Sequence, residues 1–155
     1  MQNIKLLNKR ETDKIRELIK EQWNSEIDFD DYAIYIDSKS KLFIVNKDTA
    51  AFADSNMQKL RINSIGMYFG ELKENDLRLS IEGSQMIGKN ASKNIIELND
   101  KQSRDWMRGY DVQKEAECKG FVLVKHNDDF MGTGRYANGN LTNFVSKTRR
   151  LKSAD

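Results

Sequence analysis

Phe130-Met-Gly-Thr-Gly-Arg-Tyr-Ala-Asn-Gly-Asn-Leu-Thr-Asn-Phe-Val145 reads as a β-hairpin. Its pivot is Asn138-Gly139, because a two-residue hairpin turn of the favoured type needs positive φ at both central positions. Strands are therefore expected over Phe130–Tyr136 and Asn140–Val145. The chain then turns basic. From Phe130 onward Arg135, Lys147, Arg149, Arg150 and Lys152 stand against one acid, Asp155. A folded hairpin with a one-sided basic edge points to a polyanion, with RNA the first choice.

Working back from the hairpin, Phe121-Val-Leu-Val-Lys125 is a β-prone run expected to form a central strand. Before it, Asn99 and Gln102 make a capping box that opens a helix ending at Arg108, and Gly109 suits the left-handed residue that closes it. Trp106, Met107 and Tyr110 supply the apolar side of this helix, and Asn94–Leu98 reads as a strand. Gly88-Lys-Asn-Ala-Ser-Lys93 is polar and glycine-led, and is expected to mark a domain boundary. Earlier still, Asn8 and Glu11 form another capping box, and Ile15, Leu18, Ile19 and Trp23 recur at helical spacing over residues 9–22. Strands are expected at Ala33–Asp37 and Leu42–Asn46 around the turn Ser38–Lys41. Two more follow at Ile62–Leu72 and Asp76–Leu79, around Lys73-Glu-Asn-Asp76. Short helices are expected from Asp48 over Thr49–Asp54 and from Ser80 to Met86.

The whole chain bounds these readings. Its 155 residues suffice for one medium domain or two small ones, and 32% charged with 38% hydrophobic residues is a globular balance. No apolar run approaches the ~20 residues of a membrane span. A single cysteine, Cys118, forms no internal disulfide, so a cytoplasmic location is expected. Net charge is only +2 but unevenly placed: residues 1–90 hold 14 Lys/Arg against 15 Asp/Glu, and residues 91–155 hold 12 against 9. Proline is absent, which leaves glycine and asparagine as the punctuation.

No residue set points comparably to catalysis. Cys118 lies between Glu115, Glu117 and Lys119; carboxylates raise a thiol pKa, and a nucleophile needs the opposite. His126 sits beside Asp128 and Asp129, but no activated serine or cysteine motif accompanies the pair. Asp28, Asp30 and Asp31 lack the glycine and distal glutamate of a calcium loop, and one histidine with one cysteine cannot make a structural zinc site. Neither a metal nor a cofactor is expected. Gly132-Thr-Gly134 resembles a phosphate cradle but precedes a hairpin turn, which favours a bulge or close backbone packing. The basic cluster is the stronger candidate. Lys147, Arg149, Arg150 and Lys152, with Arg135 on the paired strand and Arg104 and Arg108 on the preceding helix, would neutralise phosphates. Asn143 would add hydrogen bonding, while Tyr136 and Phe144 offer stacking or core packing. The competing reading of the cluster is a solvated terminal tail.

These same residues carry a family resemblance. Leu98–Val112, Gly120-Phe-Val-Leu-Val-Lys125, Met131-Gly-Thr-Gly-Arg135, Asn138-Gly139 and Asn143–Arg150 resemble a PUA-type RNA-binding domain, in particular the PUA-like tail of Sun/Fmu-type rRNA cytosine methyltransferases. Ser146 stands where that tail usually has proline. The first half is similar to the pre-PUA domain of Nip-type ribosome biogenesis factors, through its opening helix, Ile65-Gly-Met-Tyr-Phe-Gly-Glu-Leu72 and Leu77-Arg-Leu-Ser80. The resemblance implies an α+β chain with a pre-PUA-like domain over 1–89 and a PUA-like β-barrel over 90–155. It further implies an archaeal-type, non-enzymatic RNA-binding protein of ribosome biogenesis or rRNA processing. The methylase relatives carry a cofactor domain with catalytic cysteines. No glycine-rich cofactor loop and no second cysteine occur here, so the RNA-handling portion is expected to stand alone. Two further roles stay open: a protein adaptor whose N-terminal domain docks assembly or modification proteins, and an accessory RNA-binding subunit of an RNA-modifying enzyme.

Overall fold

The computed structural model describes residues 4–50 and 66–151. Strand β1 (Lys5–Leu6) precedes helix α1 (Lys9–Trp23), followed by β2 (Tyr32–Ile36), β3 (Lys41–Asn46), β4 (Met67–Leu72), β5 (Leu77–Leu79) and α2 (Ile81–Gly88). The second half comprises β6 (Ile95–Glu97), α3 (Asp100–Met107), β7 (Val112–Gln113), β8 (Gly120–His126), β9 (Asp129–Ala137), β10 (Asn140–Thr142) and a 3-10 turn over Lys147–Arg149. Two five-stranded sheets result, ordered β1-β2-β3-β4-β5 and β6-β8-β9-β10-β7. The first is antiparallel throughout; in the second, β6 runs parallel to β8. This is the expected α+β class, and the second sheet is a curled half-barrel of PUA type.

Local chemistry explains where the elements start. Both capping boxes form: Asn8 Oδ1 accepts from Glu11 N at 2.8 Å, and Asn99 Oδ1 accepts from Gln102 N at 2.8 Å. Ser80 opens α2 by accepting from Gly83 N at 2.9 Å. The hairpin turns on Asn138 (φ 52°) and Gly139 (φ 80°). Some boundaries differ from expectation. Residues 47–50 are already helical, so Asp48 lies inside the helix and its N–H donates to Asn46 Oδ1. Thr49–Asp54 and Ile62–Leu72 each lie partly outside the described residues. Tyr110 is 57% exposed rather than on an apolar face, because α3 has ended before it.

Strand β8 organises the core. Phe121 and Leu123 enter one cluster with Ile15, Ile19, Trp23, Leu42 and Phe69; Val122 and Val124 enter another with Trp106, Met131, Tyr136 and Leu141. Side chains alternate across a strand, so an unbroken apolar run is what burial on both faces requires. Trp23 is fully buried and donates Nε1–H to Phe121 O at 3.1 Å. Segment 88–93, expected to mark a domain boundary, also helps to complete α1. Ser92 N, Lys93 Nζ and Asn94 Nδ2 donate to Trp23 O, Glu21 O and Gln22 O, satisfying carbonyls that a helix end leaves without intrahelical partners. Thr133 Oγ1 donates to Leu79 O and accepts from Leu79 N, both at 3.2 Å, which joins β9 to β5 through a side chain.

In Gly132-Thr-Gly134 the first glycine takes a positive φ of 92° and the second serves close packing. A Cβ at Gly134 would lie 2.6 Å from the Trp106 ring and 2.9 Å from Thr142 O. Gly134→Ala should therefore cost about 1–3 kcal/mol in chemical denaturation. Because both halves share a core, its unfolding should stay a single transition by near- and far-ultraviolet circular dichroism. Glu11 gives a pH test. Its carboxyl is held below the ordinary range first by the Asn8 backbone N–H and then by Lys5. A depressed folded pKa stabilises above the unfolded value and is lost as pH falls through the folded one. Glu11→Gln should lower the melting temperature at neutral pH, with the gap closing as pH falls through the depressed folded value.

Candidate nucleic-acid interface

The expected cations fall into two groups. One lies where the two sheets meet. Arg135 is exposed on β9, its guanidinium 5.5 Å from the Phe121 ring centroid. The Phe144 ring lies 5.9 Å from that of Phe121, and Arg78 of β5 lies 4.6 Å over Phe144. Arg149 reaches the same region from the 3-10 turn and pairs with Glu82 in the first turn of α2. Exposed Lys147 follows Ser146 and makes no ion pair among the described residues.

The second group gathers on α3. Arg104 and Arg108 are one turn apart and share a face. Arg150 donates Nε–H to Val145 O at 3.0 Å and packs against Gly109, whose φ of 93° and missing side chain leave it room. A cation at a helix C-terminus also meets the negative end of the helix dipole. Leu151 N donates to Met107 O at 2.7 Å and ties the chain down, so the basic segment through Leu151 is docked rather than trailing. Lys152 lies outside the described residues.

Asn143 works inside the protein. Its Nδ2 donates to Trp106 O at 2.8 Å and Tyr110 O at 2.9 Å, while Oδ1 accepts from Val145 N at 2.7 Å. The residue expected to reach outward therefore closes the end of α3 and orients the segment that carries Phe144. Tyr136 is likewise internal, its hydroxyl donating to Lys114 O and accepting from Ala116 N.

Sequence reasoning missed Arg78 and Tyr68. The alternation Leu77-Arg-Leu79 does turn Arg78 away from the core-facing leucines. Its ring partner, however, is 66 residues away, and only the packed sheets bring them together. Arg78 is fixed by Glu71 at 3.7 Å and by the Tyr68 hydroxyl, which burial pushes above the ordinary range while Arg78 pulls it down. Tyr68, Glu82, Gly132, Phe144 and Arg149 line a cleft of about 330 Å³. A wider groove of about 1050 Å³ includes Glu21, Asp76 and Glu117 against Lys93 and Lys119, a balance that gives no preference for an anion.

The residues weighed for catalysis have ordinary roles. The Cys118 thiol is pushed up by burial and then by Glu117, away from reactivity. His126 pairs through Nε2 with Asp100 Oδ1 at 2.8 Å rather than with Asp128 or Asp129, since α3 starts beside the end of β8. Asp28 Oδ1 accepts from Asp30 N at 2.7 Å, an Asx turn leading into β2. Among the described residues no three His, Cys, Asp or Glu side chains gather where they could hold a metal, and no helix is long and apolar enough to cross a membrane.

Known proteins match both halves. The profile of the NIP7/UPF0113 pre-PUA domain matches residues 4–81, half of the chain, and that of the methyltransferase RsmF PUA domain matches residues 93–151. Among curated relatives, ribosomal RNA small subunit methyltransferase F of Vibrio parahaemolyticus is 27% identical over 139 residues, covering 84% of this chain and 28% of the relative. Its counterpart from Aeromonas hydrophila is 33% identical over 90 residues, covering 57% of this chain and 19% of the relative. The chain thus spans between about a fifth and somewhat over a quarter of the length of these relatives. Both matched domains are of RNA-binding type. This chain belongs to the NIP7/UPF0113 pre-PUA family and carries an RsmF-type PUA domain behind that pre-PUA domain.

Proposed function

We propose that this chain is a non-enzymatic RNA-binding protein that acts on ribosomal RNA during ribosome assembly or rRNA processing, in the cytoplasm. The observation that carries this reading is the docked basic segment, which exposes Lys147 and sets Arg149 on the cleft wall with Phe144, while Arg78 lies over Phe144 and Arg135 by Phe121. The pairing of a pre-PUA with a PUA domain and the rRNA named for the relatives support it. Lys147, Arg149, Arg135, Arg104, Arg108 and Lys152 would meet phosphates, with Arg150 holding the segment in place. Phosphate contacts fix register and release counterions, so affinity should be strongly salt-dependent. In this reading the first domain ends near residue 89, and its outer surface is free to dock assembly or modification proteins.

A second reading is an accessory RNA-binding subunit of an RNA-modifying enzyme. It is favoured by the relatives being methyltransferases of which the matched region is a minor part. Addition of this chain should then raise the activity of a separate catalytic protein on rRNA, and no gain would reject that role.

Binding to an rRNA fragment, measured by fluorescence anisotropy at several salt concentrations, tests the main reading. Log affinity should fall with log salt by about 0.7–0.9 per phosphate contacted, and Lys147→Ala with Arg135→Ala should flatten the slope by about two contacts. A flat response in the unmodified protein would reject it. Glu82→Gln removes the carboxylate that competes with phosphate for Arg149, so it should strengthen binding severalfold at low salt.

A further inference from the structure

We propose that the cleft between the two sheets takes one unpaired base of the bound strand, stacked on Phe144 and read for its flat face rather than its identity. This rests on the RNA-binding reading above and adds a place for the base to phosphate contacts that carry no base information. The cleft, at about 330 Å³, falls within the ~300–1,000 Å³ range of small-molecule sites. Phe144 is 37% exposed at its wall, and among the exposed large apolar residues it is the ring with a guanidinium packed against it.

The platform is held in place before any ligand arrives. Arg78 lies over the ring, fixed from behind by Glu71 and Tyr68, and Phe121 supports the ring from the core side. Asn143 anchors the backbone one residue earlier through three hydrogen bonds. Arg135 stands at the Phe121 end of this row and Arg149 on the cleft wall, so the phosphates flanking an inserted base meet cations. The acid lining the cleft, Glu82, pairs with Arg149, and Glu71 nearby pairs with Lys73 and Arg78.

The floor explains the lack of discrimination. Gly132 N–H donates to Ser84 Oγ at 2.8 Å, Met131 O accepts from Trp106 Nε1 at 2.9 Å, and Thr133 Oγ1 is engaged with Leu79. Ser80 Oγ donates to Tyr68 O at 2.6 Å. These polar groups already have partners, so they call for no particular base edge. What remains is a ring and a guanidinium plane, and every base has a face to stack on them.

The test uses the full chain and a single-stranded oligouridylate of about ten nucleotides, with an abasic nucleotide placed at each position in turn. Phe144→Leu keeps the apolar volume and removes the flat ring. It should weaken binding about tenfold with the salt slope unchanged. One abasic position should cost the unmodified protein a similar factor and cost the variant nothing more, since both changes remove the same contact. Oligoadenylate should bind within about threefold of oligouridylate. Because the substitution touches packing, a 4-thiouridine oligomer should also be photocrosslinked to the unmodified protein, with the adduct expected at Phe144 or Tyr68. Wild-type affinity in Phe144→Leu, additive losses, or adducts confined elsewhere would overturn the stacking cleft, while an intact salt slope would leave the RNA reading standing. Absence of salt-dependent binding by the unmodified protein would end both.

Discussion

Burial of β8 on both faces is the constraint on which the rest depends. A strand that gives Phe121 and Leu123 to one core and Val122 and Val124 to another cannot be shared by two loosely tethered domains. It forces the α1 face and the half-barrel into contact, and Trp23 seals that contact with a buried indole and a hydrogen bond to the strand itself. Removing polar groups from water at such a joint is costly unless each finds a partner. Ser84 and Thr133, both buried, meet that requirement across the joint.

That rigidity is what turns scattered cations into a surface. Arg78, Arg135 and Arg149 come from three distant parts of the chain and would be independent charges on a flexible two-domain protein. Held by one core, they flank the same two rings. Net charge hardly registers this, since +2 over 155 residues is nearly neutral. Local arrangement matters more because screening in physiological salt confines each exposed charge to about 8 Å. The acids near the cleft temper the field without cancelling it, as Lys147 and Arg135 make no ion pair among the described residues.

The same logic explains why polar residues that look functional turned inward. Asn143 and Tyr136 lie next to the basic segment in sequence, yet both satisfy backbone groups left open by the end of α3 and by the loop before β8. Segment 88–93 behaves alike: polar composition suits a linker, but its donors complete the carbonyl end of α1. An asparagine or serine near a helix end is ambiguous by composition, because the hydrogen bonds it makes with solvent or with backbone are chemically the same.

The two-residue strands β1 and β7 were not legible in the amino-acid sequence, whereas the order of the longer elements, both capping boxes, the Asn138-Gly139 turn and β8 as a central strand were. Each depends on contacts within a few residues or on a period of two or 3.6, which a linear string preserves. The basic character of the carboxy-terminal segment and the likeness to pre-PUA and PUA domains were legible for the same reason. Only the tertiary structure decided that Arg78 stacks on Phe144, that Glu82 holds Arg149, that His126 meets Asp100, and that the joint between the halves is a core with a cleft beside it. Those facts join residues 26 to 67 positions apart. Pairing at that distance is set by how two sheets pack around β8, and no local pattern encodes it.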